Sequence, residues 1–132
     1  MTRNVTANAA AEPASYDAPL FDEVMVQTAR DALALRRRRE RIFAPGLFGE
    51  PAWDMLLDLV VAEGERKVLS ISSLCMAAAV PQTTALRWLN YLVEVGLLLR
   101  TPNLNDSRST FVRLTPKARR LMARALAPLE AN

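Results

Sequence analysis

The sequence predicts a mainly α domain with one small β-hairpin, and three observations predict it. Apolar residues recur at spacings of three and four through five separate segments, as they do along one face of a helix. Two short runs, 97–101 and 110–114, are instead rich in Leu, Val, Phe and Thr and flank the turn-forming stretch 102–108, the order of a hairpin. Hydrophobic residues make up 51% of the 132 positions and are mostly Ala, Leu and Val, which favours helices and suffices for one core.

Residues 1–16 are small, polar and aperiodic and are expected to form a disordered tail. Asp17 can cap a long helix, with Tyr16 and Phe21 as a hydrophobic staple. Phe21, Met25, Thr28, Ala32 and Leu35 then form a heptad-like stripe, expected to meet a second copy of the chain. This N-terminal unit, 17–44, ends where Ala44-Pro45-Gly46 interrupts it. The remainder, 45–132, reads as one compact domain.

Pro51 opens the second helix, with Trp53, Leu56, Leu57, Val60 and Val61 as its expected core face and Gly64 as its stop. Its acids, among them Asp54, Asp58 and Glu63, read as solvated. Val68-Leu69 is long enough only for a minor strand. Ser70 can cap a short third helix that buries Ile71, Leu74, Cys75 and Ala78. Only Val80 and Pro81 separate it from the next helix, and so tight a joint is a helix-turn-helix signal.

The fourth helix, about 81–95, is the most informative segment. Ala85, Trp88, Leu89, Leu92 and Val93 form its expected inner stripe, which places Trp88 in the core. Gln82, Thr83, Leu86, Arg87 and Asn90 fall on the opposite side, with Thr84 at the boundary, and Gly96 stops the helix. Thr115-Pro116 starts the last helix, whose expected apolar face is Ala118, Leu121, Met122, Ala125 and Leu126.

The chain is mildly basic, with a net charge of +3, and the charge is unevenly placed. Residues 81–132 hold eight bases against three acids, whereas 50–65 hold five acids and no base. A second basic cluster, Arg36 to Arg39, can face DNA, solvent or a partner. With no histidine, no glycine-rich phosphate loop and no nucleophile-elbow serine, the sequence does not read as an enzyme. One cysteine and no histidine leave no usual zinc site, and no cofactor is expected. Without an apolar span or a signal peptide the chain reads as cytoplasmic.

The succession of three helices, Gly96-Leu97, a hairpin and Leu114-Thr115 before a last helix resembles the MarR-type winged helix-turn-helix family of bacterial transcription regulators. Leu74, Val80, Thr84, Arg87, Leu92 and the triplet Asp106-Ser107-Arg108 also carry the resemblance, which covers roughly residues 50 to 126. It implies a homodimer on duplex DNA, with helix 81–95 in the major groove and Arg108 of the wing, 97–114, at the minor groove or backbone. The chain is expected to lack the family's extra C-terminal dimerisation helix, so the first helix is expected to supply most of the seam. Nothing in the sequence identifies an effector pocket.

The residues support those roles independently. Gln82 and Asn90 can pair with adenine edges, Arg87 can grip guanine in bidentate fashion, and Leu86 can touch thymine methyls. Thr83 and Thr84 can donate to phosphate near the helix start. Arg108 suits a narrow minor groove, with Asp106 to orient it. The competing readings are a solvated polar face, or a protein-interaction module in which Leu86, Tyr91 and the basic face dock an acidic partner.

Overall fold

The computed structural model describes residues 21–129. The elements are α1 (Glu23–Ile42), α2 (Pro51–Gly64), β1 (Leu69–Ser70), α3 (Ile71–Ala77), α4 (Gln82–Glu94), β2 (Leu98–Pro102), β3 (Thr110–Leu114) and α5 (Pro116–Leu126). The mainly helical fold expected from the sequence is present. The sheet has three antiparallel strands in the order β1-β3-β2, the minor strand read near Val68-Leu69 joining the hairpin. Its extra strand is short, with Leu69 opposite Val112 and Ser70 opposite Phe111.

The described first helix is capped by Asp22, whose carboxylate accepts from the Met25 N–H at 2.8 Å. Asp17 and Tyr16, the expected cap and staple, lie outside the described residues. Val26, Ala29 and Leu33 are the buried stripe of α1, and they pack on α2. The expected stripe therefore divides. Phe21 is buried in the core, Met25 and Ala32 pack against its edge, and Thr28 and Leu35 are exposed.

α2 runs through the middle of the fold. Met55, Leu57, Leu59, Val60 and Ala62 are buried on it, whereas Trp53, Leu56 and Val61 are only partly so. A single amphipathic face was expected, but a central helix is covered on more than one side. Gly64 sits where α1 crosses α2. A Cβ on Gly64 would lie 2.7 Å from both Val26 methyls, so close helix approach requires the glycine.

The acids of α2 are not a solvated row, contrary to the expectation. Asp54 is buried and pairs with Arg36 of α1, which also reaches Glu50 at 3.1 Å and the Phe48 carbonyl at 3.2 Å. Arg37 pairs with Asp58, and Arg119 of α5 pairs with Glu63 at 3.1 Å. Two members of the arginine run thus bind α1 to α2. Buried charges persist only when paired in this way.

α5 buries three of the five residues expected on its apolar face and adds Arg119. Ala118, Arg119, Met122 and Leu126 are buried, while Leu121 and Ala125 are exposed. The aliphatic stem of Arg119 takes the core position because its guanidinium finds Glu63 and stands 6.0 Å from the Phe21 ring centre.

Candidate nucleic-acid interface

Ser70 ends β1 and caps α3, its hydroxyl accepting from the Ser73 N–H at 3.1 Å. Leu74, Cys75 and Ala78 face the core. Burial pushes the Cys75 thiol above its ordinary pKa, which suits a packing role rather than a reactive one. The chain then turns through 78–81, with the Val80 N–H donating to the Ala78 carbonyl at 2.7 Å.

α4 is anchored by Ala85, Leu89 and Leu92, all buried. Its end is set by Gly96 at φ +82°. The Leu97 N–H donates to the Leu92 carbonyl and the Gly96 N–H to the Val93 carbonyl, a left-handed cap that few other residues tolerate. The C-terminal end of α4 is thus fixed, and its buried arc sets the direction of the outer face.

That outer face carries the residues singled out from the sequence. Gln82, Thr83, Leu86, Arg87 and Asn90 are exposed and Thr84 is half-buried, as its boundary position implied. Among the described residues Arg87 has no ion-pair partner. No acid occurs on α4 before Glu94 in its last turn.

Trp88 lies outside the core. Expected in the core, it is 40% exposed. Ala85, Leu89 and Leu92 define the buried arc, and Trp88 is displaced from its middle by about 70° at 100° per residue. Its ring meets Tyr91 edge to face, with centroids 6.0 Å apart. A helical wheel centred on the three smaller residues is the signal that could have found it.

The wing is built by β2 and β3, with Leu98 opposite Leu114 and Pro102 opposite Thr110. Its tip is shaped by Asn103, whose side-chain oxygen accepts from the Asn105 N–H at 2.9 Å. The Asp106 carboxylate accepts from both the Arg108 backbone N–H at 3.0 Å and its Nε at 3.2 Å. The Arg108 side chain is 90% exposed, and its terminal nitrogens have no partner among the described residues. Asp106 thus holds the root of a guanidinium whose far end remains open. Arg100 on β2 is exposed as well.

Helix, short turn, outward helix and hairpin tip together form one recognisable unit, and residues 54–118 match the family model described as a winged helix DNA-binding domain. Among solved structures, a cysteine-to-serine mutant of MarR from E. coli is 20% identical with a TM-score of 0.50, covering 74% of this chain and 73% of that one. The transcriptional regulator PA4135 is 19% identical with a TM-score of 0.49, covering 77% of this chain and 70% of that one. The adhesin competence repressor AdcR of Streptococcus pyogenes is 17% identical with a TM-score of 0.46, covering 79% and 72%. No curated protein matches the sequence. The fold of the chain is thus similar to that of MarR. Within the described winged helix chain no helix is long and apolar enough to cross a membrane.

Proposed function

We propose that this protein is a cytoplasmic transcription regulator of the MarR type that reads duplex DNA as a homodimer. The observation that carries the reading is the outer face of α4. Gln82, Thr83, Leu86, Arg87 and Asn90 are exposed on it, unpaired within the described chain and directed outward by the burial of Ala85, Leu89 and Leu92. On this reading Gln82 and Asn90 address adenine edges, Arg87 a guanine and Leu86 a thymine methyl, while Thr83 and Thr84 hold phosphates. Arg108 enters the minor groove or lies on the backbone, held by Asp106.

The dimer seam falls to the outward side of α1. Thr28 and Leu35 from the sequence stripe are exposed there, and Val24 and Ile42 extend the same line at helical spacing. Met25 and Ala32 flank it, whereas Phe21 serves its own core. Two copies place two α4 helices on a pseudo-palindromic site with half-sites about one helical turn apart.

A second reading, a protein-interaction module without sequence preference for DNA, draws on the exposed Leu86 and Tyr91. Mobility shift of duplex DNA over a salt series separates the two. The DNA reading requires a shift that weakens steeply with salt, since Arg87 and Arg108 displace counterions. A module for protein partners gives no shift at moderate salt.

A further inference from the structure

One flank of α4 has no part in the base-reading face. Thr84, Trp88, Tyr91 and Val95 recur at spacings of four, three and four, so they line one side of the helix between its buried arc and Arg87. Trp88 is 40% and Tyr91 52% exposed, with ring planes at 87° to each other. Each ring limits the other's freedom, so little side-chain entropy is left to lose on docking. Neither the Trp88 indole N–H nor the Tyr91 hydroxyl has a hydrogen-bond partner among the described residues.

Two oriented donors on an apolar ledge, beside an arginine-bearing face, suit a partner that is rich in acceptors and partly apolar. A sugar–phosphate backbone has both properties, because deoxyribose presents C–H surface and each phosphate presents charged oxygens. Charge chooses this occupant over an apolar or basic protein surface: Arg87 adjoins Trp88 in sequence, and α4 carries no acid before Glu94.

We propose that Trp88 and Tyr91 seat on the sugar–phosphate backbone of one DNA strand, at the wall of the groove that α4 enters. The two rings cover deoxyribose, while the indole N–H and the phenolic O–H donate to phosphate oxygens. This rests on the DNA reading above and adds to it two residues that position the helix without reading sequence. Their contribution is therefore the same on every duplex, unlike that of Arg87.

Trp53 and Trp88 are the only tryptophans, so Trp53→Phe leaves Trp88 as the sole indole reporter in the full chain. Its emission is followed during titration with a mixed-sequence duplex of about three helical turns. Trp88→Phe and Tyr91→Phe, which keep a ring and remove the donor, are titrated in parallel on this duplex and on one enriched by selection. The expected result is a change in Trp88 emission on binding, with each variant weakened roughly 5- to 20-fold on both duplexes and the preference between them unchanged. Unaltered emission at saturating duplex, or variants that bind like the wild type, would overturn the proposal and leave the DNA reading standing. A loss confined to the enriched duplex also overturns it, by making these residues base readers. A wild-type chain that enriches no duplex and leaves the mixed-sequence one unbound overturns both readings.

Discussion

The Thr115 hydroxyl donates to the Gly96 carbonyl at 2.7 Å while accepting from the Ala118 N–H at 3.1 Å. One side chain thereby joins the end of α4 to the start of α5 and closes the base of the wing between them. The Thr115 N–H adds a bond to the Leu97 carbonyl at 3.1 Å. The angle between the outer face of α4 and the wing is fixed at this point, 19 residues apart in sequence.

Thr115→Val keeps the shape of the side chain and removes both bonds. Stability is expected to fall by about 1–2 kcal/mol, the usual cost of a lost cap with an orphaned carbonyl beside it. Urea unfolding measures this, and Thr115→Ser should recover most of the loss.

Gly64→Ala tests the crossing of α1 and α2. The added methyl meets the Val26 side chain at 2.7 Å, so a loss of about 1–3 kcal/mol is expected. Val26→Ala made in the same chain should return part of it. Denaturant curves for the two single variants and the double variant give the coupling directly.

How much was open to the sequence depended on how local each cause was. Ser70, Gly96 and Thr115-Pro116 bound their elements within three or four residues, and the structure places those boundaries where the sequence did. The outer face of α4 was legible for the same reason, since burial of Ala85, Leu89 and Leu92 fixes it. Long-range partners were not. Asp54 looked solvated because Arg36, 18 residues away, is what makes its burial tolerable. Arg119 displaced Leu121 from the core because Glu63 lies 56 residues upstream. Trp88 was misplaced because large apolar residues weigh heavily in a periodic pattern, even when smaller ones occupy the centre of the face.

Acid titration should show the cost of the other α2 carboxylates. Burial raises the pKa of Asp58 and of Glu63, against the opposing pull of Arg37 and Arg119. The folded chain therefore holds these protons more tightly than the unfolded chain. Their contribution is full below the ordinary carboxylate range and is lost as pH rises through the raised values. Glu65 runs the other way, because hydrogen bonds from Arg30 and then Lys67 lower its pKa. Its contribution is lost as pH falls through that lowered value. Unfolding free energy is thus expected to rise on mild acidification from neutral pH and to decline at stronger acid. Asp58→Asn with Glu63→Gln should flatten the rise, as followed by urea midpoints across pH.

The proposed dimer seam is tested at Leu35, which is exposed on the side of α1 away from the core. Leu35→Glu leaves the buried Val26, Ala29 and Leu33 untouched, so the fold should persist. Sedimentation velocity is expected to show a dimer for the wild type and a monomer for the variant. A variant that remains dimeric would move the seam elsewhere.

The most direct test of DNA reading by α4 is selection of bound fragments from random duplex DNA, with a Gln82→Ala, Arg87→Ala double variant alongside. A pseudo-palindromic motif enriched by the wild type and lost in the variant is expected, with half-sites about one helical turn apart. The same motif enriched by both proteins, or no motif from the wild type, would contradict that reading.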